Sequence, residues 1–286
     1  MTTATTSFSS AHRLLTATAS TAGALALALT MTGCSAPADP ERECVPAALP
    51  QAAQALIMIV GTHAGTPAPN VPGTAAPLLQ ATLAAGNPVR VIALDGTPAL
   101  LELPAVRPVS RNTCDGFATT LAGATNSVID AVKAAAADSD GNDLYSALDL
   151  AGKTAHASGW NNATLLVIDS GLAERPRSPI NFAQENMTQA DPEQVSTFAL
   201  ASQPLDLSGL TVDFQGLGQT APPQLPLSPA EQIVVGDTWQ NIATKANAAQ
   251  VRITPVPRTG PGPDTQYVTL LTPVAAVDVF EPPTQD

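Results

Sequence analysis

Charged side chains are scarce in this 286-residue chain: Asp, Glu, Lys and Arg make up 13% of it, about half of the roughly 25% usual in globular domains. The surface is therefore expected to be built from Thr, Ser, Asn, Gln, Pro and Ala. Positive charge is the scarcer sign, 12 Lys and Arg against 24 Asp and Glu, for a net charge of -12. No Lys/Arg cluster can neutralise several phosphates, which excludes a nucleic-acid partner. Aromatic rings are few, with two Trp, two Tyr and six Phe. That leaves little material for a base-stacking platform or a strip of rings beneath a sugar chain. There is no CxxC motif among the three cysteines, and no apolar run reaches the roughly 20 residues that cross a bilayer as a helix. What is plentiful is small or apolar. Hydrophobic residues are 44% of the chain, and its 19 Gly and 27 Pro are spread among periodic apolar runs, so wholesale disorder is not expected.

The first acidic residue is Asp39. Before it, His12 and Arg13 lead into the run Ala22-Gly23-Ala24-Leu25-Ala26-Leu27-Ala28-Leu29, too short to span a membrane and followed by small residues, as in an export signal. The run ends in Met31-Thr32-Gly33-Cys34-Ser35. This resembles the bacterial lipoprotein signal, in which an apolar residue and two small residues precede the cysteine that is lipidated. The resemblance implies a signal peptide over residues 1–33, a lipid on Cys34, and a domain tethered through residues 34–49 to the outer face of the cytoplasmic membrane. Cys44 and Cys114 remain. In an oxidising compartment an isolated pair most simply forms a disulfide, closing a long loop. The alternative, a metal site, lacks support, because His63 and His156 lie far from either cysteine in sequence.

Periodicity organises the rest. Ala55 to Val60 is a continuous apolar run ending at Gly61, the pattern of a strand buried on both faces of a parallel sheet. A helix is expected over about residues 73–85, then strands over 88–94 and 98–103 joined by the turn signal Asp95-Gly96. Helices are expected over 114–137 and 143–157, the second with Asp143 as cap or first-turn acid. A buried strand, Thr164 to Ile168, runs into Asp169-Ser170-Gly171. A helix over 191–200, a strand over 210–216, a helix over 230–249 and a strand over 250–255 follow, with a last strand-like piece at Tyr267–Leu271. This order predicts an α/β fold: a doubly wound, mostly parallel sheet with one antiparallel edge strand.

With a hairpin as second and third strands and a fourth strand ending in Asp169, the order resembles the von Willebrand factor type A fold, a Rossmann-type three-layer sandwich. The matching pieces are Ala55 to Gly61, Gly141-Asn142-Asp143-Leu144-Tyr145-Ser146-Ala147-Leu148, and Leu165 to Gly171. Leu166 to Gly171, Asp206-Leu207-Ser208-Gly209-Leu210 with Gly216-Leu217-Gly218, and Pro222 to Glu231 look like an actinobacterial group of exported envelope proteins. Some of that group carry a following peptidoglycan-binding domain of the outer-membrane-protein-A type. Here the resemblance covers residues 50–256, and residues 257–286 are expected to be a Pro-rich segment with one short strand. In the family, an Asp-x-Ser-x-Ser loop, a Thr and an Asp hold Mg²⁺ through oxygen. This chain has Gly61, His63 and Gly65 at the loop positions and Asn142 at the threonine position, and keeps only Asp169. The expectation is a degenerate, metal-free site with no cofactor.

Thr62, His63, Asn142, Asp143, Asp169 and Ser170 should gather at the crevice where open α/β sheets bind ligands. Two function classes follow. One is a non-enzymatic binding or scaffolding module of the cell envelope that contacts a protein or wall polymer. The alternative is a small exported hydrolase in which His63, Asp169 and Ser170 act together. No GxSxG elbow supports the second, and a turn capped by Asp169 and Ser170 accounts for the same residues.

Overall fold

A computed structural model of the chain describes residues 49–62, 75–103, 114–135, 141–175, 178–183, 186–220 and 225–254. In chain order these form β1 (Leu56–Gly61), α1 (Ala75–Ala84), β2 (Val89–Leu94), β3 (Ala99–Leu100), α2 (Cys114–Ala135), α3 (Leu144–Ala157), β4 (Ala163–Ile168), α4 (Pro192–Ser202), β5 (Leu210–Gln215), α5 (Pro229–Lys245) and β6 (Gln250–Thr254), with one 3-10 turn at Met187–Gln189. The strands make one six-stranded sheet in the order β3-β2-β1-β4-β5-β6. All neighbours are parallel except β2 and β3. This is the expected α/β architecture, mostly parallel with one antiparallel edge strand and helices on both faces.

The central strands read as unbroken apolar runs because successive side chains point to opposite faces, and both faces are covered. Ile57 and Ile59 of β1 join Leu165 and Val167 of β4 in a core closed by α3, α4 and α5. Leu56, Met58 and Val60 join Val91, Leu166 and Ile168 in a second core closed by α1 and α2. The side chains that α2 sends into it, Phe117, Leu121, Val128, Ile129 and Val132, are those its helical spacing predicts.

Local chemistry fixes the helix starts. Asp143 caps α3, accepting from the Ser146 N–H at 3.2 Å and its hydroxyl at 2.8 Å. Ser228 and Glu231 form a reciprocal capping box on α5, and Pro occupies the first turn of both α4 and α5. At the far end of α5, Lys245 Nζ pairs with Glu193 Oε1 at 2.7 Å and donates to Thr197 Oγ1 at 2.6 Å, fastening the helix to α4.

Two expectations need correction. Strand β3 keeps only Ala99 and Leu100 of the expected 98–103: its register with β2 ends at Leu100, and one further bond, from the Leu101 N–H to the Val91 carbonyl at 2.8 Å, closes the pairing. Helix α5 stops at Lys245 rather than 249, since Asn247 takes a left-handed φ of 65° that a helix cannot continue through. Helix α2 is described over Cys114–Ala135, and the expected end near 137 lies outside the described residues. The signal segment, Cys34, the tether, Cys44, the Cys114 side chain, His63 and residues 257–286 lie outside the described residues.

Tyr145 ties α3 to the loop after α4: it is fully buried, and its hydroxyl donates to the Gln203 carbonyl at 2.5 Å. Burial, and then the charge of Asp149, push its phenol from 10.0 up to about 12. A raised pKa means that the neutral form is favoured in the folded state, so this contribution is intact below about pH 10 and is lost as pH climbs through about 12. Urea unfolding at stepped alkaline pH should show a stability loss on the order of 2 kcal/mol in that window. Tyr145→Phe, less stable by about 1 kcal/mol at neutral pH through the lost hydrogen bond, should flatten it.

Candidate functional site

The order of the sheet reverses between β1 and β4, and the crevice of an open α/β sheet lies at the carboxyl ends of those strands. The β1 exit supplies Thr62, the β4 exit supplies Asp169 and Ser170, and the entry to α3 supplies Asn142 and Asp143. The described candidates do converge: Asn142 Nδ2 donates to Asp169 Oδ1 at 2.7 Å, and the Asp143 N–H donates to the Asp95 carbonyl at 3.0 Å at the end of β2. Thr62 is held against β2 by its N–H and hydroxyl, both on the Leu94 carbonyl at 2.9 and 3.2 Å. All five side chains are buried, none more than 8% exposed.

Most of these groups are engaged in shaping the loops. Besides Asn142, Asp169 Oδ1 accepts the Gly171 N–H at 2.7 Å, and Ser170 Oγ accepts the Leu172 N–H at 3.3 Å. Both are side-chain-to-backbone turn bonds of the kind Asp and Ser form after a strand. Asp143 is occupied as the α3 cap. One atom stands apart. Asn142 Oδ1 is buried and has no hydrogen-bond partner among the described residues, a state that costs about 1–3 kcal/mol when left unmet. Its orientation is fixed because its amide nitrogen must face the carboxylate of Asp169.

This corner is supported from behind by residues that no local pattern links to it. Gly171 sits at φ 71° with its carbonyl accepting from Trp239 Nε1 at 2.7 Å. The Trp239 ring is fully buried and lies 6.5 Å from that of Phe182, centroid to centroid. The Gly218 N–H reaches the Ser170 carbonyl at 2.7 Å, and the Glu174 N–H reaches the Asn142 carbonyl at 3.0 Å. The Gly-x-Gly fragment at Gly216 and Gly218 is thus part of the wall of this corner, both glycines adopting positive φ.

The oxygen set of a von Willebrand A Mg²⁺ site, which the sequence resemblance brings to mind, does not fit these residues. Gly61 offers no side-chain oxygen where the first carboxylate would stand, and the Asn142 amide nitrogen, not its oxygen, faces Asp169. No group of three His, Cys, Asp or Glu suited to a metal occurs among the described residues.

A second polar group lies at the amino end of β5, outside the crevice. His156 Nε2, on α3, is 3.3 Å from both the carbonyl and the hydroxyl of Ser208, and its Nδ1 is 3.9 Å from Asp206 Oδ2. The Ser208 N–H and hydroxyl hold the Asp206 carboxyl below the usual carboxylate range. His156 is on the surface, where it fastens the end of α3 to the loop entering β5.

Layering and strand order define the class: an α/β sandwich of Rossmann-like build. No protein-family model matches the chain, and no curated protein and no solved structure matches it either. No helix among the described residues is long and apolar enough to cross a membrane.

Proposed function

We propose that the domain is a von Willebrand A-like binding module, held by a lipid on Cys34 at the outer face of the cytoplasmic membrane, that contacts an envelope protein or wall polymer through the crevice between β1 and β4. Three features support the likeness: the order β3-β2-β1-β4-β5-β6, the single antiparallel strand β3 at the edge, and a fourth strand that runs directly into Asp169. The observation that carries the binding role is Asn142 Oδ1, a buried acceptor held in place with nothing to accept. A ligand that brings a hydrogen-bond donor there gains a bond the free protein lacks. Binding rather than hydrolysis is favoured because Asp169 and Ser170 already serve as turn acceptors.

The test uses the membrane-bound full chain with a photo-cross-linking residue at Glu174, whose N–H meets the Asn142 carbonyl, or at Phe198 on α4 as control. Irradiated with intact envelopes, the Glu174 chain should yield a discrete adduct that Asn142→Ala weakens at least tenfold, and the Phe198 chain should not yield it. Identical adducts at both positions, or none at either, would sink the crevice reading. Hydrolysis of p-nitrophenyl acetate abolished by Ser170→Ala would replace it with the hydrolase. Palmitate labelling that survives Cys34→Ser would remove the lipid anchor.

A further inference from the structure

Among the described residues, one edge of the sheet is left open. Strand β6 pairs with β5 along one side, and among the described residues no strand pairs with the other. Unpaired amides and carbonyls along such an edge invite another strand. The flank of this edge is apolar as well. Ile253 of β6 is 37% exposed, and a Cβ built on Gly236 of α5 would lie 3.6 Å from its Cδ1. Ile233, one helical turn before Gly236, is 62% exposed. Backbone hydrogen-bonding capacity and two uncovered isoleucines thus lie side by side at one margin of the domain.

We propose that this margin is a strand-acceptor site and that its occupant is the run Tyr267–Leu271 of the same chain, added as a seventh strand antiparallel to β6. Chain chemistry selects that occupant. Residues 255–266 contain Pro255, Pro257, Pro261 and Pro263 with Gly260 and Gly262, residues suited to reversing direction but not to pairing. Thr265 to Thr272 then carries no charge and no proline, between Asp264 and Pro273, and includes Tyr267, Val268 and Thr269, which favour strands. In an added strand, alternate residues would fall on the isoleucine side of the sheet, so that either Val268 and Leu270 or Tyr267 and Leu271 cover Ile253. Tethering makes the pairing intramolecular, at an effective concentration in the millimolar range for a short linker. A second copy fits less well. Pairing two β6 strands about a two-fold axis at Arg252 sets Arg252 against Arg252, and like charges directly opposite destabilise a strand pair.

Hydrogen exchange on the full chain tests this. The β6 segment, residues 250–254, should exchange slowly. Val268→Pro or Leu270→Pro, each placing a proline in the added strand, should speed its exchange tenfold or more and leave β4 unchanged. Thr284→Pro, outside the run, should have no effect. Equal β6 exchange in all four proteins overturns the proposal. So does β6 protection that rises with protein concentration together with a dimer in light scattering, because the occupant is then a second copy.

Discussion

Replacing Gly171 by alanine should lower the stability of the domain by about 2–5 kcal/mol. Two effects add. The backbone there has φ 71°, a conformation that alanine adopts only at a cost of about 1–2 kcal/mol. The new Cβ would also stand 2.5 Å from Leu217 Cδ2 and 2.8 Å from Trp239 Nε1, and overpacking of this kind costs about 1–3 kcal/mol. Trp239 cannot retreat without giving up its bond to the Gly171 carbonyl, since its ring is fully buried. The measurement is urea unfolding followed by tryptophan fluorescence. A midpoint shift worth less than about 1 kcal/mol would mean that the corner is looser than its packing indicates. Trp239→Phe separates the two effects: it keeps a ring in the core but strands the Gly171 carbonyl, and should cost about 1–3 kcal/mol.

Asp169→Ala should be nearly as damaging, at about 2–5 kcal/mol, because the Asn142 amide and the Gly171 N–H both lose their acceptor inside the protein. Asp169→Asn, which can still present one oxygen, should recover much of that loss. Ser170→Ala removes a single long contact, the 3.3 Å bond from the Leu172 N–H, and should stay within about 1 kcal/mol of the parent. The ranking is informative for function. Residues free for acid-base work alone would be replaceable with loss of activity but little loss of fold. A turn acceptor holding two loops together predicts the steep difference between them. If Asp169→Ala proves harmless to stability, the crevice is free for chemistry after all.

Much of the architecture was legible in the residues. Strands β1, β2, β4, β5 and β6 announce themselves as apolar or alternating runs bounded by Gly, Pro and Asp, and α3 by its cap at Asp143 and the spacing of Leu144 and Leu148. The errors sit where a local preference competes with surroundings that the sequence does not spell out. Leu101 and Leu103 read as strand because they are apolar, yet after the last bond to β2, from the Leu101 N–H to the Val91 carbonyl, they serve by packing against the core formed with α1 and α2. The residues after Lys245 read as helix because they are mostly Ala, until Asn247 turns the chain. Of the site, the convergence of Thr62, Asn142, Asp143, Asp169 and Ser170 followed from topology alone. What no spacing could disclose was the part made by residues distant in sequence: the indole of Trp239 behind Gly171, and the Asn142 amide turned so that its nitrogen meets Asp169 and its oxygen meets nothing.

The register of the central strands also bears on how the domain comes into being. Leu56 of β1 lies beside Val89 of β2 on one side and Thr164 of β4 on the other, so the middle of the sheet cannot close until about a hundred further residues have joined the chain. Pairings this remote slow the search for the native state, since loop closure precedes any reward from contact. A chain delivered from its amino end can therefore cover one face of β1 with α1, β2 and α2, but leaves the β4 side of Leu56 to Val60 unpaired until Ile168 arrives. Throughout that interval the open side of β1 is a strand edge that any other extended segment could pair with.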